Sequence, residues 1–524
     1  MKKAKLTKDR KLILSRVTPR ESAELFRERE MPTLINQQGE WLLYRGGAYY
    51  EIEHATIHAN VSTFLENACV LNINKKTGKP QGVLKFNPKQ RDVSEVLDAL
   101  KAISHRDRDA LAPPCFLDGA GELADLDPKK FVSCGNGLLY LPTRALYPAT
   151  SNYFTRTVLP LDFDPSAPEP MQWLEFLAEV TGGRQHLIDL MQEIIGYLLS
   201  GETRMQRVFF FVGNPRAGKG TVLRIVNALL GGERNVTSPT IQDLAGRFGY
   251  APLIGKTLAQ ITDMDCENAS KLGVAANRIN AISGEDAISA DRKNNPVMWE
   301  GHLRCRIVLA GNHLPNFRSH TGAMAARLLI LPFEQSFEGR EDYGLTDKLE
   351  SELPGIMNWA LEGLDRLNER GRFAEPEESK ALKRELIYKS NSVLGFVNEW
   401  CIVDPGAEIE KTILLSAYND YAAALGKPNL SANTFAEYLR EATQYKIEPR
   451  RPTIRGERTY TFAGIKLRDA IAQHYFKSEA DELARECGWL PALVLRDGYP
   501  IPLSPSERAA VEALDDFGEG ETRH

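Results

Sequence analysis

The stretch VFFFVGNPRAGKGT, Val208 to Thr221, constrains the fold of this chain more than any other. An unbroken apolar run gives way to glycine, proline and lysine, then resumes as VLRIVNALLG with helical spacing. That is a buried strand, a loop and a helix, and a strand apolar at every position belongs in a sheet covered on both faces. Gly213, Gly218 and Lys219 supply the pattern GxxxxGK between the two elements. In that setting the loop's backbone N–H groups and the helix N-terminus can surround a β-phosphate, while Lys219 neutralises β- and γ-oxygens. The nucleotide-binding candidates are Gly213, Asn214, Pro215, Arg216, Ala217, Gly218, Lys219, Gly220 and Thr221. Gly220 stands where a Mg²⁺-binding hydroxyl is usual; Thr221, one place later, is the substitute, through water or facing the α-phosphate. The ending GKGT also occurs in small nucleotide kinases. The loop alone therefore leaves open a phosphoryl-transfer enzyme or an ATP-driven machine, with a glycine-rich turn as the plain alternative.

The next hundred residues narrow the choice. TLAQITD, RCRIVLAGN and LLILPF are further strand-like runs separated by helical or loop stretches, which predicts a mostly parallel α/β sheet. Asp263 ends the first, putting a carboxylate at a strand's C-terminal edge beside the loop, where it can hold Mg²⁺ through water. Asp265 is the candidate for polarising an attacking water, although either aspartate could instead cap the next element. Asn312 closes RIVLAGN, where a neutral amide can hydrogen-bond a γ-phosphate or the lytic water; by itself Asn-His-Leu-Pro is a turn. Arg327, in GAMAARLLILPF, is a guanidinium placed to complete a neighbouring subunit's site, against the plainer reading of a surface ion pair.

A chain of 524 residues outgrows a single core, and three or four domains are expected. No apolar run approaches the roughly 18–20 residues that span a bilayer. The basic N-terminus, MKKAKLTKDRKLILSRVTPR, lacks a long apolar core and a small-residue cleavage site, so the cytoplasm is the expected compartment. Cys69, Cys115, Cys134, Cys266, Cys305, Cys401 and Cys487 are scattered without a CxxC pair, which favours reduced, buried thiols over a disulfide framework or zinc ribbon. The net charge of −5 argues against a uniformly DNA-coating protein and leaves local basic surfaces open.

Along the chain, residues 1–30 read as a basic arm, loose or helical. Residues 31–150 read as a mixed α/β domain: EWLLYRGGAYYEI is a hairpin about a Gly-Gly turn, VSEVLDALKAI is helical, and SCGNGLLYLPTRALYPAT forms short strands and turns. PLDFDPSAPEP marks a boundary; residues 151–205 carry two amphipathic helical patterns, residues 206–375 hold the sheet, and residues 376–392 form a solvated helical connector. In residues 393–468, VLGFVNEWCIV, ILLSAYNDYAAAL and the Ser-capped SANTFAEYLREAT precede a basic two-stranded pattern, YKIEPRRPTIRGERTYTFAGIKLR. That is the order of a winged helix. Residues 469–524 carry no readable signal. DLD at Asp125–Asp127 and DFD at Asp162–Asp164 imitate metal-binding pairs, but both lie in Pro-flanked turns and are read as turn residues.

The ordered set GNPRAGKGT, LAQITD, ISGEDAISADRK, VLAGN and ARLLILPF resembles the superfamily 3 helicases, and within them the phage/plasmid primase–helicase family. CGNGLLYLPTRALYP, LPLDFDP and the winged-helix pattern resemble further segments of that family, so the likeness runs over roughly residues 35–468. It implies an AAA+ P-loop NTPase core with a parallel sheet, flanked by the mixed domain, the small helical region and the winged helix. It also implies a replicative DNA helicase of a phage, plasmid or mobile element, in a bacterial host cytoplasm, using ATP and Mg²⁺. Partners would be further copies in a ring, usually six, with single-stranded DNA in the channel and Arg327 reaching the next site. A hairpin within GEDAISADRKNNPVMWEG would project into that channel, Lys293 first and Arg292 next to it following phosphates. Without the family, two adjacent basic residues are a solvated turn. On the winged helix, Arg450, Arg451, Arg455 and Arg458 are the candidates for duplex backbone contact, with a protein-binding winged helix as the alternative. Priming is expected from a separate protein. Two other readings remain: a nucleotide-dependent DNA-binding or regulatory ring without productive unwinding, and a nucleoside monophosphate-type kinase, which the long sequence before the loop disfavours.

Overall fold

The computed structural model describes residues 12–74, 79–109, 111–119, 121–262, 269–293, 295–313, 323–390, 392–425, 427, 429–454 and 457–475. The chain divides into two units, one comprising residues 1–314 and 327–380 and the other residues 315–326 and 381–524.

The first unit is built on a five-stranded sheet that is parallel throughout. Its strands lie in the order Val236–Thr237, Leu258–Ile261, Arg306–Gly311, Val208–Gly213, Leu328–Phe333. The last four are buried at every position except Gly213 and Gly311, as mostly apolar strands are when helices cover both faces; Gln260 and Arg306 are the polar side chains buried among them. This is a parallel sheet consistent with an AAA+-like core. The three strands expected beside Val208–Gly213 are all present. The two-residue edge strand Val236–Thr237 is too short to carry a periodic signal.

Helix Lys219–Leu230 follows the glycine loop and buries Val222, Leu223, Ile225, Val226, Leu229 and Leu230. The two helices expected within residues 151–205 are Met171–Thr181 and Gln185–Ser200. Gln185–Ser200 crosses helix Leu353–Arg370 at backbone contact: a Cβ on Gly196 would sit 2.1 Å from the Ala360 carbonyl oxygen, and one on Gly363 would sit 2.5 Å from the Gln192 carbonyl carbon. One hydrophobic core joins these helices and the sheet to Cys134, Leu139, Leu159 and Phe163. The end of the mixed domain is thus packed into the same core as the sheet.

The rest of the mixed region forms a separate core around helices Pro19–Glu30, His54–Glu66 and Gln90–Ser104. Phe26 and Ala23 of the first helix are fully buried there, so this part of the expected arm shares its core with the domain that follows. The Gly-Gly hairpin is present, with Arg45 opposite Ala48 and Gly46 and Gly47 both at positive φ, and Ile35–Gln37 adds a third strand. Asp127 and Asp164 accept hydrogen bonds from Lys129 N and Ser166 N, which makes them turn residues as read.

In the second unit, helices Ser392–Trp400, Lys411–Ala424 and Ala432–Ala442 surround one core with a three-stranded sheet ordered Glu408–Glu410, Thr461–Ala463, Glu448–Arg450. Ser431 caps the third helix, its hydroxyl accepting from Thr434 N at 3.2 Å. The first helix ends at Trp400, and the apolar CIV that looked like its continuation starts a strand, Cys401–Ile402, paired with Lys466–Leu467. Helix Asp469–Tyr475 extends into what had been read as tail, and Tyr475 donates to Asp420 at 2.6 Å.

Among the described residues Cys69, Cys134, Cys305 and Cys401 are buried free thiols and Cys115 is half-buried. Burial pushes Cys134 and Cys305 up to about 12. Cys266 and Cys487 lie outside the described residues. Among the described residues no helix is long and apolar enough to cross a membrane.

Candidate functional site

Parallel pairing brings several strand ends to one edge of the sheet. Val212 is opposite Gly311, Gly213 is opposite Phe333, and Ile261 is opposite Leu309. The residues that follow these ends, the glycine loop and Asn312, therefore share that edge.

The loop's conformation is dictated by its glycines. Gly213 has φ 150°, and a Cβ there would lie 1.8 Å from the Phe333 carbonyl oxygen. That same oxygen accepts from Asn214 N at 3.1 Å, so the loop leaves the strand pressed against its neighbour. Gly218 has φ 86°, and a Cβ there would be 2.8 Å from Val180 Cγ2. Only glycine fits either place. Asn214 Nδ2 donates to Glu334 O at 3.0 Å, Arg216 pairs with Glu341, and Ala217 is buried. Beyond Gly218 the first N–H groups of helix Lys219–Leu230 have no intrahelical carbonyl to meet and face the loop.

Lys219 bends back over this loop. Its Nζ donates to Gly213 O at 2.7 Å, to Asn214 O at 2.6 Å and to Asn312 Oδ1 at 3.2 Å. The ammonium thus lies at the junction of two adjacent strands, among oxygens of neutral groups. Burial holds it below the usual amine range. Gln260 Nε2 reaches from the next strand to Leu223 O at 3.1 Å and fixes the helix against the sheet.

Gly220 is exposed, and a Cβ there would meet the Arg224 guanidinium at 3.5 Å. Arg224 Nη2 also donates to Thr221 Oγ1 at 3.0 Å, so the hydroxyl nominated for Mg²⁺ is engaged along its own helix. Asp263 and Asp265 lie outside the described residues; the chain is described up to Thr262, just past the strand end at Ile261. Among the described residues no group of three or more His, Cys, Asp or Glu side chains is gathered as a metal site. Mg²⁺ at a phosphate site needs only one or two carboxylates besides water and phosphates, the kind of donor set for which Thr221 and Asp263 were nominated.

Arg327 falls elsewhere. It precedes Leu328, which pairs with Val208 at the start of the strands, roughly 20 Å along the sheet from Gly213 at about 3.3 Å per residue. Its Nη1 contacts Gln206 Oε1 at 3.4 Å. Of the five catalytic candidates, Lys219 and Asn312 are together, Arg327 is on the opposite edge of the same sheet, and the two aspartates are outside the described residues.

The expected hairpin is strands Ile288–Arg292 and Asn295–Gly301, antiparallel, with Lys293 exposed at its turn. Arg292 does not project. Its guanidinium pairs with Glu40 at 2.5 Å and donates to Gln38 O at 2.6 Å and Val297 O at 2.8 Å. Its side chain is only 9% exposed, so the expectation that it follows DNA phosphates beside Lys293 conflicts with its surroundings. In the second unit, Arg450 is 3.5 Å from Glu448, Arg451 stacks on exposed Tyr460 at 4.5 Å, and Arg458 is exposed on the Glu457–Arg458 strand. Arg455 lies outside the described residues. Tyr460 and Lys411, which lies 5.5 Å over the same ring, had no place in the sequence reading because the third strand that brings them together was not legible.

Comparison with known proteins gives two matches to families. Residues 70–182 match the family described as D5 N terminal like, and residues 211–327 match a family of unknown function, DUF5906. Each covers under half of the chain. The first points, remotely, to the phage/plasmid primase–helicase superfamily. Among solved structures, the apo C-terminal region of NrS-1 is similar at 11% identity and TM-score 0.48, covering 85% of this chain and 99% of that one. A second apo form of the region gives 13% identity and TM-score 0.46, covering 82% and 95%.

Proposed function

We propose that this protein is an ATP-hydrolysing DNA helicase motor of the superfamily 3 kind. The observation that carries the reading is the approach of Lys219 Nζ to Asn312 Oδ1, at 3.2 Å, beside a loop that only glycine can form. A cation held by neutral oxygens is a cation still available to an anion, and amides of the loop and helix start face the same space.

In this reading Lys219 exchanges its contacts to Gly213 O and Asn214 O for β- and γ-phosphate oxygens and draws off the charge that grows as the γ-phosphoryl leaves. Asn312, freed from the ammonium, hydrogen-bonds the γ-phosphate or the attacking water. Asp265 takes a proton from that water, and Asp263 with Thr221 holds Mg²⁺. Mg²⁺, when bound, supplies charge neutralisation between the phosphates. Arg327, on the far edge, cannot serve its own chain's Lys219; it completes the site of a neighbouring copy, which makes a ring the working assembly. Lys293 at the hairpin turn contacts single-stranded DNA in the channel, and Arg450, Arg451, Arg455 and Arg458 contact duplex.

The test is ATP turnover with and without single-stranded DNA, together with strand displacement on a forked duplex. Stimulated turnover and unwinding are expected, both lost in Lys219→Ala. Turnover without displacement would instead select the regulatory ring, and a Lys219→Ala protein as active as the parent would remove the site altogether.

A further inference from the structure

The hairpin that carries Lys293 is not held by the sheet alone. Its Arg292 side chain enters a buried charge cluster with Glu40, whose second oxygen accepts from Arg156 at 2.7 Å. Glu40 is 6% exposed and belongs to the N-terminal three-stranded meander, some 250 residues away in sequence. Gln38, at the turn of that meander, bonds both ways with the other hairpin strand: Nε2 donates to Glu300 O at 3.1 Å and Oε1 accepts from Glu300 N at 2.9 Å. Arg108 pairs with the Glu300 carboxylate, and Gly39 packs so that a Cβ would lie 3.4 Å from Val297 Cγ2.

The hairpin's own backbone is shaped for this contact. Its register shifts between Ala290 and Arg292, and such a bulge re-aims the side chain that follows it. The meander, in turn, is fixed from behind. Tyr49 N donates to Thr155 O at 2.8 Å, Ser133 Oγ donates to Gly47 O at 2.8 Å, and Arg156 lies against Gly255 at 3.1 Å from where its Cβ would be. The contact is therefore a clamp whose floor is itself tied down, and Lys293 immediately follows Arg292, the last clamped residue of the first hairpin strand.

We propose that Glu40 is a positioning residue: by holding Arg292 it sets the stance of the Lys293 turn, so that the N-terminal meander governs how the hairpin meets single-stranded DNA. This rests on the reading of the hairpin as a DNA-contacting element. A buried carboxylate that answers two guanidiniums adds little net stability over an apolar replacement, but an arrangement that parted Arg292 from Glu40 would leave a buried charge uncompensated, which ties the hairpin to the meander.

The test uses the full chain with Glu40→Gln, Glu40→Asp and Gln38→Ala, and three measurements. These are backbone hydrogen exchange of residues 288–301, binding of a fluorescent oligothymidylate, and DNA-free ATP turnover. Glu40→Gln is expected to speed exchange across the hairpin by at least about tenfold and to weaken oligothymidylate binding by about tenfold. DNA-free turnover stays at the parental level, and Glu40→Asp, which keeps the charge, recovers most of both losses. Gln38→Ala gives the same pattern at smaller amplitude and covers the case in which Glu40→Gln does not fold. Unchanged exchange, or faster exchange with unchanged binding, overturns the proposal, as does a parent protein that binds no oligothymidylate. Absence of ATP turnover in the parent would instead remove the motor reading and leave the exchange and binding arms standing.

Discussion

Lys219, at the start of a helix, and Arg292, at the end of a strand, are cations of the same unit, and their surroundings are opposite. Lys219 meets three oxygens, all from uncharged groups, with no carboxylate in contact among the described residues. Arg292 meets a carboxylate buried with it, plus two carbonyls. A charge that the protein has already answered is architecture; a charge left to weak dipoles is a place for an anion. The difference is the one expected between the proposed nucleotide-site lysine and an arginine held within the fold, although both looked like phosphate ligands in sequence.

The comparison predicts unlike failures. In the proposed motor Lys219→Ala removes charge that the transition state needs, and turnover should fall about a thousandfold, while denaturant unfolding stays close to parental. Arg292→Ala should do the reverse. It leaves Glu40 buried with Arg156 as its remaining partner, at a cost of about 3–5 kcal/mol in unfolding free energy. Lys293→Ala, one residue on and exposed, should leave unfolding unchanged and lower the salt-dependence slope of oligothymidylate binding by about 0.7, one phosphate contact's worth. An Arg292→Ala protein of parental stability would break the contrast.

What sequence could and could not disclose follows the same division. The sheet was legible because Val208–Gly213 and Leu328–Phe333 are apolar throughout and Leu258–Ile261 and Arg306–Gly311 are mostly so, with Gln260 and Arg306 the exceptions, a local signal. Lys219 and Asn312 were legible because each ends or follows such a strand, and parallel order then brings their ends together. The pairing of Arg292 was not legible because its partner, Glu40, lies in a distant hairpin, and no local pattern tells a paired arginine from a solvated one. The strand at Cys401–Ile402 was hidden for a related reason: its apolar residues continue the preceding helix's composition, and only the pairing with Lys466–Leu467 turns them into a strand.

Asn312 offers a finer cut through the site. In the proposed mechanism its amide gives one hydrogen bond to the reacting groups and none of the charge, so Asn312→Ala should lower turnover by about tenfold to a hundredfold, less than Lys219→Ala. Nucleotide binding should change little, because the loop and Lys219 keep their other contacts. Losses equal to those of Lys219→Ala, in binding as well as turnover, would mean that Asn312 chiefly holds the lysine in place.

The smallest effect concerns protons. Burial lowers the Lys219 ammonium below its ordinary range, and a bound triphosphate would raise it again. The bound state then holds its proton more tightly than the free state. Nucleotide affinity is therefore full below the lowered value of the free protein and declines as pH rises through it, with proton uptake on binding between the free and bound values. For the free protein the sign is the opposite: stability rises as pH climbs from the lowered folded value towards the unfolded one, because losing the proton relieves a buried charge. Calorimetry in two buffers of different ionisation enthalpy measures the uptake directly. Lys219→Arg keeps a charge that does not titrate and should abolish it. An alkaline uptake that persists in that variant would assign the proton to another group and weaken the contrast between the answered and the unanswered cation.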